Sequence, residues 1–387
     1  MREYVLPAAD AAVLHQIPGC EMIDLILPDL NGLLRGKRIT RDALSKIYES
    51  GVCLPMSLIA TDITGNTVEE TGLGYAIGDE DRICRPVPGS LRSVPWQSKP
   101  MAQLLLSMED ANGGVFAANP REVLKQVLDR YSALGLTPVV AVELEFYLLD
   151  AQLTVEGRPQ TSINPATGSR NRATQVYYME DLNDYQTFTD RLADVCRGQA
   201  IPADTAVAEY APGQFEINLK HRADALQACD DAIYLKRAIK AVAAQQKMLA
   251  SFMAKPFVDQ AGSGMHIHVS LLDGEGRNVF AGTPASPAAP MLHAIGGLQA
   301  ASRMSQAHRY PFPRARGEDA AALRGTRFAR SCGARGQRSA PPRAGYFFPR
   351  FFARMKSSII SAVFSSIAAS SSGVTSRESA CAMNVFA

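Results

Sequence analysis

Paired cysteine spacing is missing from this chain. The seven cysteines (Cys20, Cys53, Cys84, Cys196, Cys229, Cys332 and Cys381) are odd in number and scattered, with no Cys-x-x-Cys. That pattern excludes a disulfide framework and points to reduced thiols in a cytoplasmic compartment. Long apolar runs are missing too. No stretch reaches the roughly 18 uninterrupted apolar residues of a membrane helix, so no span is predicted. The opening Met-Arg-Glu-Tyr lacks a signal-peptide pattern. Net charge is only +2. The composition therefore gives no electrostatic push toward nucleic acid or a membrane surface.

What is present describes a soluble globular protein. The 387 residues suffice for one large or two smaller domains, and 47% of them are hydrophobic, enough for a sizeable core. Residues 1–112 read as a small α+β unit: strands at Met22–Leu27 and Leu33–Ile39 joined by Asn31-Gly32, a helix over Arg41–Glu49 capped by Thr40, and a strand at Ala102–Ser107. A linker-like composition at 108–120 marks a boundary. Residues 113–300 form a second, larger domain. Asn119-Pro120 opens a helix that Gly135 stops. Residues 151–180 are polar and read as an exposed loop, and a long helical pattern runs from Ala223 to Met253. After about Gln299 the composition shifts to arginine with few acids, and periodicity fades. Residues 301–387 are expected to be an atypical region, either a frameshifted reading or disordered.

Three stretches of the second domain carry the chemistry. Val139–Leu149 is an apolar strand broken by Glu143 and Glu145, which share one face because they are two residues apart. In Gln214–Leu219, residues Phe215, Ile217 and Leu219 face one way and Gln214, Glu216 and Asn218 the other. Pro212-Gly213 reads as a break that lets Glu209 and Glu216 face one cavity. In Met265–Leu271, His266, His268 and Ser270 line the polar face. Together these strands predict a curved antiparallel sheet, packed outside and flanked by helices, with its inner face lining a cavity. Burying several anions side by side costs several kcal/mol unless a cation compensates them. Four carboxylates and one histidine (Glu143, Glu145, Glu209, Glu216 and His266) favour hard divalent ions, Mg²⁺ or Mn²⁺. The ligand count suits two ions, and two such ions suit phosphoryl chemistry.

These segments carry a resemblance. Val142-Glu-Leu-Glu-Phe-Tyr-Leu148, Glu209-Tyr-Ala-Pro-Gly-Gln-Phe-Glu216 and Gly262-Ser-Gly-Met-His-Ile-His268 resemble the signature segments of the glutamine synthetase superfamily. Their wording is most similar to its γ-glutamylpolyamine synthetase branch. Ile23–Lys37 resembles that branch's N-terminal β-grasp domain. The resemblance implies an ATP-dependent ligase that joins the γ-carboxylate of glutamate to an amine, polyamine or ammonia, through γ-glutamyl phosphate. It implies that Glu145, Glu209 and Glu216 hold the ion at glutamate, and that Glu143 and His266 hold the ion at the ATP phosphates. Gly262 would offer backbone contacts to glutamate, and His268 and Ser270 would lie near the nucleotide. Asp62 would be the acidic residue lent to a neighbour's amine site, in a ring-shaped homo-oligomer. Glu216 and Asp62 are the implied catalytic residues.

The resemblance stops near Ala300. The family's later Asn-Ser-Tyr-Lys/Arg-Arg, Asn-Arg…Arg-x-Pro and Glu-x-Arg segments do not follow, and with them go the arginines for phosphate and glutamate. Two rivals therefore stand beside the ligase: a non-catalytic member that binds nucleotide or glutamate, and a metal-dependent phosphohydrolase using the same carboxylates.

Overall fold

A computed structural model of the chain describes residues 5–171, 173, 176–283, 285–307 and 381–385. The first region comprises α1 (Ala8–His15), β1 (Met22–Pro28), β2 (Leu34–Thr40), α2 (Leu44–Ser50), β3 (Val52–Pro55), β4 (Asp81–Pro86), β5 (Arg92–Ser93) and β6 (Met101–Met108). Its sheet runs β2-β1-β6-β4-β3, with β5 on β6. Strands β1 and β6 are parallel, from Met22↔Met101 to Ile26↔Leu105; the other pairs are antiparallel. The turn predicted at Asn31-Gly32 joins β1 to β2, and Gly32 takes φ +67° there. Thr40 caps nothing with its side chain: a 3₁₀ turn over Arg41–Ala43 precedes α2.

The second region comprises α3 (Pro120–Ala133), β7 (Thr137–Asp150), α4 (Met179–Asp184), α5 (Gln186–Gly198), β8 (Ala203–Ala208), β9 (Gln214–Leu219), α6 (Ala225–Gln245), β10 (Met248–Ser251) and β11 (Met265–Leu272). Asn119 caps α3 by accepting the Arg121 N–H, with Pro120 at the first position. The helix expected from Ala223 to Met253 is shorter. It ends at Gln245, Lys247 turns the chain at φ +60°, and Met248–Ser251 pairs with the end of β7 as a strand. A four-residue strand is too short to show a period of two against the preceding alanine-rich run.

These strands form a curved antiparallel sheet in the order β12-β11-β7-β9-β8, with β12 at Cys381–Val385 and β10 also on β7. The 14-residue β7 is its spine. Along β7, Val140, Val142, Leu144, Phe146 and Leu148 enter the main core with Phe215, Ile217 and Leu219 of β9. Helices α5 and α6 cover that face with Phe188, Leu192, Val195, Leu235, Ile239 and Val242. Each such side chain contributes roughly 1.5–3 kcal/mol when fully removed from water. Period-two alternation then forces Glu143, Glu145 and Tyr147 onto the inner face.

The two sheets belong to one compact unit. Ile26, Val87 and Leu105 of the first region lie in the same core cluster as α6. Tyr234 of α6 donates to the Ser90 carbonyl, and Gln245 donates to the Trp96 carbonyl at 3.0 Å. Helix α7 (Ala289–Ala307) belongs to a separate unit and carries helical structure past the point where periodicity fades in the sequence. Most of the expected atypical region, 308–380, lies outside the described residues. None of the described helices is long and apolar enough to cross a membrane.

Candidate metal centre

Strand register builds the site. Glu145 of β7 stands opposite Glu216 of β9, and Glu143 stands opposite Asn218. On the other side of β7, His266 of β11 stands opposite Glu143. Directly opposed residues lie within roughly 5 Å of each other, so the pairing alone brings four of the expected ligands together. His266 Nδ1 lies 3.0 Å from Glu143 Oε2 and 3.4 Å from Glu216 Oε2, and its Nε2 lies 3.7 Å from Glu145 Oε1. One ligand atom each of Glu143, Glu216 and His266 falls within 4.8 Å of the others. That trio draws on both ion sets implied by the resemblance, so the two sets share one cluster.

Glu209 lies just past β8, in the hairpin to β9. Its N–H donates to the Gln214 carbonyl at 2.9 Å, and Gly213 makes the turn at φ +73°. The break expected at Pro212-Gly213 is this hairpin. Burial, then the charge of Glu145, pushes the Glu209 carboxyl up. Burial, with Glu143, Glu209 and Glu145 around it, pushes Glu216 up to about 7. Among the described residues no arginine or lysine forms an ion pair with Glu143, Glu145 or Glu216. Among the described residues, His266 and His268 are the groups that stand within ion-pair distance of them.

His268 Nε2 lies 3.0 Å from Glu143 Oε1, yet it is buried without an aligned hydrogen bond, as is Asn218 Oδ1. The His268 ring also meets the edge of His221, with centroids 5.8 Å apart. Ser270 sits further along β11, opposite Val139. Gly262 lies in the loop before β11, where a Cβ would come 2.7 Å from the Ala254 carbonyl oxygen, so only glycine fits. Asp62 is in the first region and spends its carboxylate on its own turn. It accepts from the Thr64 N–H and hydroxyl and from the Asn66 N–H, which hold its pKa down at about 2.

Sequence reading left four neighbours without a role. The Asn218 amide donates to Glu143 Oε1 at 2.7 Å, and the Gln214 amide donates to Glu145 Oε2 at 3.0 Å. Both lie on the polar row that alternation exposes, so that row was the signal. His221 and Tyr177 lie outside regular strands, where no periodicity marks them. The Tyr177 hydroxyl is held up first by the charge of Glu209, with Glu216, Glu143 and Glu145 contributing. A hollow of about 420 Å³ between α3, the start of β7 and the start of α6 is lined by Leu128, Ser132, Thr137 and Asp224; it holds none of the expected ligands.

The residues fit a divalent cation. Carboxylate and imidazole are hard-ion ligands. Glu209 and Glu216 are raised first by burial and then by neighbouring carboxylates, and unpaired polar atoms of His268 and Asn218 border the cluster. A cation supplies the charge that this arrangement lacks.

A curved antiparallel sheet with such a carboxylate–histidine cluster on its inner face defines a class, and the comparisons identify it. The chain belongs to the glutamine synthetase catalytic-domain family, whose model matches residues 117–313. It is 47% identical over 267 residues to gamma-glutamylputrescine synthetase PuuA of Escherichia coli (strain K12), covering 69% of this chain and 56% of that protein. It is 32% identical over 291 residues to glutamate–isopropylamine ligase of Pseudomonas sp, covering 74% of this chain and 61% of that protein. Among solved structures, a GmaS/ADP complex superposes with TM-score 0.63 at 25% identity, over 76% of this chain and 63% of that one. The chain thus spans 56% and 61% of the length of these two curated relatives.

Proposed function

We propose that this chain is an ATP-dependent ligase that joins the γ-carboxylate of glutamate to an amine. The observation that carries this reading is the cluster of Glu143, Glu216 and His266, whose ligand atoms gather within 4.8 Å. No lysine or arginine among the described residues neutralises it. Its relatives by name are ligases of glutamate with putrescine and with isopropylamine, so a small alkylamine is the acceptor proposed here.

In this reading Glu145, Glu209 and Glu216 hold one Mg²⁺ or Mn²⁺ beside glutamate, and Glu143 and His266 hold another beside the ATP phosphates. Bound there, the ions neutralise the charge shared by phosphate and carboxylate oxygens. The chain's own residues position the partners. The Gly262 backbone, which no larger residue could place against Ala254, faces glutamate, and His268 and Ser270 face the nucleotide. The γ-carboxylate oxygen takes the terminal phosphoryl group of ATP, giving γ-glutamyl phosphate and ADP. The amine nitrogen then bonds to the carbonyl carbon of the γ-carboxyl group, the bond from that carbon to the phosphate oxygen breaks, and phosphate leaves. An alkylammonium must shed a proton before it attacks, and the carboxylate of Asp62 from a neighbouring copy in a ring, once released from its Thr64 and Asn66 donors, is the proposed acceptor. Such assembly suits a cytoplasmic enzyme.

The test is phosphate release by the full chain with ATP and glutamate, scanning putrescine, ethanolamine and ammonia. The expected outcome is release that requires Mg²⁺ or Mn²⁺, glutamate and an amine together. Release without glutamate or amine would make the protein a phosphohydrolase. Calorimetric binding of ATP·Mg²⁺ with no release would make it a non-catalytic binding member.

A further inference from the structure

We propose that Gln214 is a positioning residue that couples cation occupancy of the cluster to the ordering of the glutamate-facing loop 252–264. The proposal rests on the metal-centre part of the reading above.

Gln214 is buried, 2% exposed. Its amide nitrogen donates twice, to Glu145 Oε2 at 3.0 Å and to the Gly262 carbonyl at 2.9 Å. Its amide oxygen accepts the Ala211 N–H at 3.2 Å. The amide cannot be flipped: the reverse orientation sets its oxygen against a carboxylate and a carbonyl at once. Gln214 therefore joins a cluster carboxylate to the loop through one side chain with no hydrogen-bonding capacity to spare in its amide N–H groups.

Its cross-strand neighbour does the same job one residue earlier. Tyr147 stands opposite Gln214 in the β7–β9 register. Its hydroxyl donates to the Ala261 carbonyl at 2.7 Å. The loop is then closed on itself by the Ser263 N–H, which donates to Ala254 at 2.9 Å. It is tied to β7 by the Glu145 N–H, which donates to Gly264 at 3.1 Å. Tyr147 reaches only the loop. Of the two, Gln214 reaches both the loop and a carboxylate whose other oxygen faces His266.

The coupling follows from charge. With the cluster empty of a cation, Glu145 is a strong acceptor that draws the Gln214 amide toward itself and strains its second hydrogen bond, to Gly262. A cation drawing on Glu145 weakens that pull, and the Gly262 carbonyl gains the better hydrogen bond. The link is reciprocal by thermodynamic necessity, so an ordered loop also favours the cation.

Hydrogen exchange of the full chain, with and without Mn²⁺, tests this. In the wild type, Mn²⁺ should slow exchange of the Ser263 and Gly264 amides about tenfold, within the usual range of such couplings. In Gln214→Leu the slowing should vanish, and Mn²⁺ affinity measured by electron paramagnetic resonance should fall by up to about the same tenfold factor, as reciprocity requires. Equal slowing in both proteins overturns the proposal. So does Mn²⁺ binding to the wild type with no change in loop exchange, a result that needs no variant to fold and leaves the ligase reading standing. Failure of the wild type to bind Mn²⁺ at all is distinct, because it removes the metal centre and the proposal together.

Discussion

In the first sheet Asp24 lies between Arg38 and Arg237, at 2.7 and 2.5 Å; in the second, Glu143, Glu145 and Glu216 have no arginine or lysine in an ion pair with them among the described residues, only histidines and neutral amides. Burial pushes Asp24 up, but the hydrogen bonds and charges of the two arginines outweigh it and hold the carboxyl below its ordinary range. Glu216 is pushed the other way, to about 7. Asp10, fully buried, is satisfied differently again. It accepts from the Tyr48 hydroxyl at 2.8 Å and from the Gly89 and Leu91 N–H groups at 2.8 and 3.0 Å. Asp230 and Asp231 of α6 fall between the extremes: each has an arginine, at 3.2 and 2.8 Å, yet burial still raises both. Where the fold needs a buried carboxylate for structure, it brings a donor with it. At the inner face of the second sheet it brings more carboxylates. That difference separates a structural acid from one kept for an external cation.

Removing a structural acid should therefore harm the protein most. Asp10→Ala takes their acceptor from the buried Leu91 N–H and the partly buried Gly89 N–H and removes one partner of the Tyr48 hydroxyl, at a cost of about 3–5 kcal/mol. The midpoint of urea unfolding should fall accordingly. A loss below about 1 kcal/mol would mean that water replaces the carboxylate and the contrast with the cluster is weaker than drawn.

Neutralising a cluster acid should do the opposite. In metal-free protein at pH 8, Glu216→Gln is expected to raise stability by about 2 kcal/mol, because the ionised carboxylate is disfavoured there. The sign follows from the shift. Glu216 sits at about 7 when folded against an ordinary value of 4.5. Its contribution is complete below pH 4.5 and is lost as pH rises through about 7. The gap corresponds to roughly 3 kcal/mol between those limits. Unfolding of EDTA-treated protein from pH 4.5 to 8 should show this decline in wild type and a shallower one in Glu216→Gln, where burial still raises Glu209. Saturating Mn²⁺ should abolish the decline. A variant less stable than wild type at pH 8 would place Glu216 with Asp10.

How much of this could be read beforehand depends on periodicity. β9 and β11 were legible because each alternates, and β7 because its apolar run carries two glutamates two residues apart; that period of two fixes the face on which Glu143, Glu145, Glu216 and His266 stand. Register is not written in any one strand. The placing of His266 opposite Glu143, and the convergence of both implied ion sets on one trio, needed the pairing itself. Gln214 and Asn218 were visible as members of a polar row, but an amide announces no charge, and its role depends on what lies within about 3 Å. β10 stayed hidden because its four residues follow an alanine-rich helix without Gly or Pro between them; the chain turns at Lys247 instead. The Thr40 cap was plausible by residue type and failed because the backbone enters a 3₁₀ turn there.

The smallest effect probes the other side of the contrast. Arg38 is half exposed, while Asp24 is nearly covered and keeps Arg237 after Arg38 is removed. A half-exposed ion pair is screened by water and contributes about 0–1 kcal/mol, so Arg38→Ala should lower stability by less than about 1 kcal/mol near neutral pH. Asp24 is lowered in the folded state, so its contribution is present above its ordinary pKa of 3.8 and is lost as pH falls through the folded value. The difference between wild type and Arg38→Ala should therefore shrink on acidification below pH 3.8, whereas the Glu216 contribution is lost on the alkaline side. If that difference grows with acid, Arg38 acts through something other than the Asp24 charge, such as packing of its aliphatic stem on β2. The arginine clasp would then no longer be the counterpart of the cation-free cluster.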